Sequence, residues 1–160
     1  CDGPIFRGKD IAVIGGGNEM DNLLQQRKDL DVVDSFILLD SQKNPYPYIK
    51  ASDYFILPTQ SESYPLVIGE VMCMNKPIIS TNVGGISEMI EDGSDGVLIQ
   101  YNEDEMYNSM KEFMTNLDLV KKISDGTKSA YKKFDENEIY RQVSEVFEQQ
   151  YQLKVENERN

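Results

Sequence analysis

The chain has 160 residues, of which 16 are Lys or Arg and 28 are Asp or Glu, so its net charge is -12, and it has no histidine. That balance repels nucleic-acid backbones and anionic membrane surfaces. The missing imidazole removes Ser-His-Asp and Cys-His catalysis and the commonest metal ligand.

No apolar run reaches the roughly 20 residues of a membrane-spanning helix, and no signal-peptide pattern opens the chain. A soluble, cytoplasmic protein is expected, with no nucleic acid among its partners and no strong membrane binding. With 39% hydrophobic residues, the length suits one domain with a packed core. Two cysteines, Cys1 and Cys73, cannot build a disulfide scaffold of the secreted kind. Cys73 reads as a small apolar core residue.

Residues 1–10, opening on Cys1 instead of methionine, read as a leader or junction left from something longer. From residue 11 onward, short β-branched runs alternate with helical patterns. "IAVIG" (11–15), "SFILL" (35–39), "YFILP" (54–58), "PIIST" (77–81) and "GVLI" (96–99) have strand length and composition. Helical segments fall between them at 20–30, 46–51, 65–74 and 86–91. The strands are nearly continuous in apolar character, as in strands covered on both faces. The fold class expected is α/β: a Rossmann-like, doubly wound parallel sheet of about five strands.

Beyond the fifth strand, three stretches carry apolar residues at three- and four-residue intervals, as in Met106, Met110 and Phe113 or Ile139, Val143 and Phe147. They read as amphipathic surface helices closing the domain. "KVENERN", residues 154–160, reads as a polar, frayed tail, so the ligand-binding domain is expected over 11–153.

In such sheets ligands bind beyond the carboxyl ends of the strands, which singles out four loops: "GGGNEM", "DSQKNPYPY", "TQSESYP" and "TNVGGISE". In the third, Pro65 suits a first helical position, and the amides of Leu66, Val67 and Ile68 would face the cleft with the positive end of the helix dipole. Glu62 sits just before that helix and Glu70 about one and a half turns into it. The neighbours of Glu70 three and four positions away are Leu66, Val67, Cys73 and Met74. An ordinary solvent-facing glutamate would have polar residues there. In the fourth loop Gly84 and Gly85 allow close backbone approach. Alone such a pair is as often just a turn; beside Glu62 and Glu70 it reads as ligand lining, with a helix start at Ile86 facing the same cleft.

"SDYFILPTQSESYPLVIGEVMCMNKPIISTNVGGISEMIEDGSDGVLI", residues 52–99, closely resembles the nucleotide-sugar-binding half of family 4 retaining glycosyltransferases of the two-Rossmann-domain type. The signature is Glu, seven residues, Glu, then "KPII" and "T-x-VGG-x-x-E", and the likeness extends over most of residues 35–153. It implies a nucleoside diphosphate sugar as donor substrate, with no metal and no other cofactor. It implies that Glu62 is catalytic, approaching the donor sugar near the reacting centre, and that Glu70 binds the ribose hydroxyls. The Leu66 and Val67 amides would cradle the diphosphate, and Ser63, Tyr64, Gly15, Gly16, Gly84 and Gly85 would complete the donor site.

The resemblance also implies an acceptor-binding, amino-terminal partner domain that this chain lacks, so weak donor binding without efficient transfer is expected. Asp40 and Ser41 replace a glycine and an aromatic of the family's base-contacting loop, which leaves the base open, and Tyr46 and Tyr48 read as packing residues. The family's diphosphate-binding arginine and lysine have no match in residues 1–10, where Arg7 and Lys9 precede the first strand in the wrong register.

"CDGPIFRGKDIAVIGGG", residues 1–17, resembles instead a thioredoxin reductase stretch leading from a redox cysteine into an NADPH-binding glycine loop. Gly15, Gly17 and Asp40 imitate a dinucleotide fingerprint. Cys1 lacks a partner cysteine, however, and Met20 occupies the third glycine or alanine position. Two alternatives stand beside the transferase: a pyridine-nucleotide-binding module independent of Glu62, and a catalytically silent Rossmann-like interaction domain.

Overall fold

The structure, a computed structural model, describes residues 10–158, with side chains to residue 155. Cys1, Arg7 and Lys9 lie outside the described residues. The chain forms two compact units, Cys1–Asp53 and Tyr54–Asn160.

In the first unit the order is β1 (Ile11–Ile14), α1 (Met20–Asp29), β2 (Phe36–Leu39) and α2 (Tyr46–Ala51). β1 and β2 pair in parallel, with Ile11 opposite Phe36 and Ile14 opposite Leu39. Gly15 N–H continues the ladder to the Leu39 carbonyl at 3.1 Å. Arg27 of α1 donates through Nη1 to the Phe36 carbonyl at 3.2 Å, tying helix to strand. All eight strand residues are half-buried, so these two strands are less covered than their apolar runs led us to expect. Tyr46, expected to pack, is 49% exposed.

The second unit holds nearly all of the buried apolar core. Its order is β3 (Phe55–Leu57), α3 (Leu66–Cys73), β4 (Ile78–Thr81), α4 (Ile86–Met89), β5 (Val97–Ile99), α5 (Glu103–Thr115), α6 (Leu117–Ala130), a 3-10 turn (Tyr131–Phe134) and α7 (Glu136–Glu158). The three strands are parallel in the order β3-β4-β5. Central β4 is buried at all four positions, which is why an uncharged "IIST" stands there. Ile79, Ile99, Phe113 and Ile123 form a core cluster, flanked by Met106, Met110 and Val120, so the α5 stripe read from the sequence does face inward. Tyr54 meets the Phe113 ring edge to face, centroids 5.3 Å apart. Asn102 caps α5 by accepting from the Asp104 and Glu105 amides at 2.8 and 3.1 Å.

The α/β class and the parallel pairing are thus as expected, but among the described residues the strands form a two-stranded and a three-stranded sheet where a single sheet was expected. Three further details differ. Cys73 is exposed, not core, because Ile68, Val71 and Met72 take the buried face of α3 and residue 73 turns away from it. Helix α7 continues to Glu158, so the polar tail is helical over residues 154–158. The apolar stripe of α7 faces outward: Ile139, Val143 and Phe147 are 44%, 46% and 73% exposed.

The start of α7 carries an acid-sensitive feature. The Glu138 carboxylate pairs with Arg141 at 2.6 Å and accepts from Gln142 at 2.8 Å. Hydrogen bonds from Arg141 first and Gln142 second lower the Glu138 pKa from 4.5 to about 2. A lowered folded-state value stabilises the helix above the ordinary glutamate range, and that contribution disappears as pH falls toward 2. Titrating the Glu138 carboxyl carbon by NMR should give a midpoint near 2, moving up toward 4.5 in Arg141→Gln. An unchanged midpoint in that variant would rule the pairing out.

Candidate functional site

The site builds from the loop between β3 and α3, residues 58–65. Helix α3 begins at Leu66, with Pro65 as an extended N-cap at φ -72° and ψ 110°, one residue later than the expected proline at the first helical position. Leu66 and Val67 precede any intrahelical acceptor four residues back. The Ile68 amide, which the sequence offered as a third ligand-facing donor, is engaged by the Pro65 carbonyl at 3.1 Å. α3 packs on β4, α6 and the 3-10 turn, and Ile68, Val71 and Met72 hold its buried face.

Glu70 lies half-buried on α3. Two neighbours that share its side, Leu66 and Cys73, are exposed, Leu66 at 74%. The apolar surroundings of Glu70 are therefore in part an accessible wall and not core. Glu62 is half-buried in the loop, with Ser63 and Tyr64 exposed beside it.

The glycine pair turns out to be built against this loop. Gly84 has φ 55°, and a Cβ added there would stand 1.6 Å from the Glu62 carbonyl oxygen; one added at Gly85 would stand 2.3 Å from the Ser63 carbonyl oxygen. Gly85 N–H donates to that Ser63 carbonyl at 3.0 Å. Only a residue with no side chain permits such approach, so the immediate neighbours of Gly84 and Gly85 are the backbones of Glu62 and Ser63. Helix α4 is a single turn, and Ile90 after it is extended at φ -111° and ψ 127°. The helix expected over 86–91 is too short to present a developed dipole.

Sequence reasoning passed over Thr81 and Thr59. Thr81, 1% exposed, donates through Oγ1 to the Thr59 carbonyl at 2.6 Å, fixing the start of the loop to the end of β4. The signal was present: a hydroxyl closing an apolar central strand needs a partner. The structure therefore gathers Glu62, Ser63 and Tyr64 with Gly84 and Gly85 at the carboxyl ends of β3 and β4, and sets Leu66, Val67 and Glu70 on the helix that follows. Gly15 and Gly16 belong to the first unit, at the end of β1, where a Cβ on Gly16 would stand 3.1 Å from Ser41 Oγ.

A helix start beside a carboxylate-bearing loop, with a second carboxylate farther along the same helix, provides donors for an anion and acceptors for hydroxyl groups. Among the described residues, no helix is long and apolar enough to cross a membrane.

Comparison with known proteins shows the family to which the chain belongs. An uncharacterised glycosyltransferase of Haemophilus influenzae is 30% identical over 118 residues, which is 72% of this chain and 33% of the relative. The N-acetyl-alpha-D-glucosaminyl L-malate synthase of Bacillus anthracis is 34% identical over 93 residues, 58% of this chain and 24% of that enzyme. The chain thus spans about a third or less of the length of these relatives. Among solved structures, Anabaena Alr3699/HepE in complex with UDP superposes with a TM-score of 0.77 at 24% identity, covering 88% of this chain and 41% of that one. This likeness is one of fold. A family model described as glycosyl transferases group 1 matches residues 6–116. Residues 11–17, which resemble a reductase loop, lie inside that match, and nothing in these comparisons supports the oxidoreductase alternative. With well over half of its length matched, the chain belongs to the glycosyl transferases group 1 family.

Proposed function

We propose that this chain is the carboxyl-terminal, donor-binding part of a retaining glycosyltransferase of the hexosyltransferase type, acting in cytoplasmic glycan or polysaccharide assembly. Its substrate is a nucleoside diphosphate sugar, and the acceptor is held by a part of the enzyme outside this chain. The observation that carries this reading is the loop Thr59–Tyr64, clamped by Thr81 and Gly85 so that Glu62 stands just ahead of the Leu66 and Val67 amides. Membership of the transferase family supports it, as does the likeness in fold to a protein crystallised with UDP.

In this reading the amides of Leu66 and Val67 hold the diphosphate and stabilise the charge that grows on it as the glycosyl bond breaks. No metal or other cofactor is required of the site. Glu62 faces the sugar and stabilises its developing positive centre, and Glu70 accepts from the ribose hydroxyls. Ser63, Tyr64, Gly84 and Gly85 shape the sugar end of the site.

Isothermal titration with UDP, GDP and ADP and with UDP-glucose, UDP-N-acetylglucosamine, GDP-mannose and ADP-glucose tests the proposal. Weak binding of at least one nucleotide and its conjugate is expected. Glu70→Ala should weaken both about tenfold, since a charged acceptor of one or two hydroxyls is lost. No binding of any ligand at millimolar concentration would refute the reading.

A further inference from the structure

Two side chains to which the donor motif assigns no part meet at the same end of the sheet. Gln60 Nε2 donates to Tyr101 Oη at 2.6 Å. Gln60 lies in the loop after β3 and Tyr101 in the connection after β5, so the bond reaches across β4, the strand between them. Resting on the donor reading above, we propose that Tyr101 and Gln60 form a latch that positions Glu62 against the donor sugar.

The connection carrying Tyr101 is stiff. On one side of it Gln100 N–H donates to Glu105 Oε2 at 2.7 Å; on the other, Asn102 caps α5 with two bonds. Tyr101 therefore stands on backbone anchored on both sides. The residue is 58% exposed, so it is not there for core volume, and burial does not explain its hydroxyl finding a partner 41 residues away.

The loop it reaches has fixed ends and a less constrained middle. Thr59 is held through its carbonyl by Thr81 and Ser63 through its carbonyl by Gly85. Between them, Thr59 Oγ1 donates to the Ser61 carbonyl at 3.2 Å, a contact internal to the loop. The Gln60 side chain ties this middle stretch to β5. Cutting that tie lets the peptides around residues 60 and 61 rotate between their anchors, which changes the aim of the Glu62 side chain while its carbonyl stays against Gly84 and α3 stays where its buried face holds it. Tyr101 and Gln60 are positioning residues: they act on the sugar through Glu62 and leave the diphosphate site on the helix unaltered.

The test is the same titration panel on the unmodified chain, Tyr101→Phe, Gln60→Leu and the double variant, with melting temperatures alongside. The latch requires that each single variant weaken the sugar conjugate about fivefold, the worth of the sugar contact that a misaimed Glu62 gives up, while the matching free diphosphate changes by less than about twofold. The double variant should be no worse than either single one, since both remove the same bond, and melting should stay close to that of the unmodified chain. Equal weakening of conjugate and diphosphate would overturn the latch, because that is the signature of a general loosening. An effect in Tyr101→Phe without one in Gln60→Leu would also overturn it, as direct contact of the phenol with ligand. So would unchanged affinities throughout, or an unmodified chain that gains nothing from the sugar. A chain that binds no ligand of the panel removes the donor reading itself, and the latch with it.

Discussion

Gly84→Ala is expected to lower stability by about 3 kcal/mol and to abolish donor binding, whereas Gly93→Ala should cost only about 1 kcal/mol. Both glycines have positive φ, 55° at Gly84 and 71° at Gly93, so both substitutions force an L side chain into the left-handed region. What separates them is space. A Cβ at Gly93 meets nothing within 4 Å, while one at Gly84 would lie 1.6 Å from the Glu62 carbonyl oxygen. The difference between the variants in urea unfolding therefore reads the close approach alone. Binding separates them further, because relief of the clash must push the Glu62 backbone away from Gly84 and so shift the loop that carries the Glu62 carboxylate. Equal destabilisation of the two variants, or a Gly84→Ala protein that binds donor normally, would show that the approach has no such consequence.

The second large effect is expected at Asp95, in the connection "EDGSDG" between α4 and β5. Asp95 is 3% exposed. Its Oδ1 accepts from the Glu91 amide at 2.7 Å and its Oδ2 from Lys133 Nζ at 2.8 Å. Lys133 also donates to the Met89 carbonyl at 3.5 Å, so the pair joins the 3-10 turn after α6 to the end of α4. Removing the buried acceptor strands the Glu91 amide and takes from Lys133 its carboxylate partner, and Asp95→Ala should cost about 3 kcal/mol. The Lys133 side chain is 41% exposed and can turn to water. Lys133→Ala leaves the Asp95 carboxylate without its cation but still bonded to the Glu91 amide, and should cost about 2 kcal/mol. Asp95→Asn, which keeps an acceptor for the Glu91 amide but loses the charge, should fall between them. Equal losses in Asp95→Ala and Lys133→Ala would mean that the ion pair, and not the buried acceptor, carries the stability.

Asp95 also illustrates what was hidden in the sequence. Acidic residues near glycines are usually solvated turn formers, and only the distant Lys133, 38 positions on, reveals that this one is enclosed. The strands were legible because short β-branched runs bounded by turn residues leave few other readings. The start of α3 was legible to within a residue because proline breaks one pattern as it begins the next. The faces of α3 were not: with Leu66, Val67, Ile68, Val71, Met72 and Cys73 nearly all round the helix, hydrophobicity does not say which side is covered. That ambiguity put Cys73 in the core and understated the exposure of Leu66. Helix α7 failed in the opposite sense, since its periodicity is clear but its apolar stripe faces outward.

The candidate site was legible as a list of residues and less so as an arrangement. The spacing of Glu62 and Glu70 and the glycine pair were visible, and the glycines pointed to close approach. What they approach, the backbone of Glu62 and Ser63, is a contact between loops more than twenty residues apart, set by the parallel pairing of β3 with β4. Thr81 and Thr59 meet for the same reason.

The claim on which all of this turns is that the amino end of α3 holds the diphosphate. Amide chemical shifts of the 15N-labelled chain, followed during titration with the nucleotides and sugar conjugates named above, test it most directly. The Leu66 and Val67 amides should move most, with Glu70 moving alongside them for the nucleotides and Glu62 responding only to the sugar conjugates. Saturation by a ligand that leaves Leu66 and Val67 unmoved would contradict the claim.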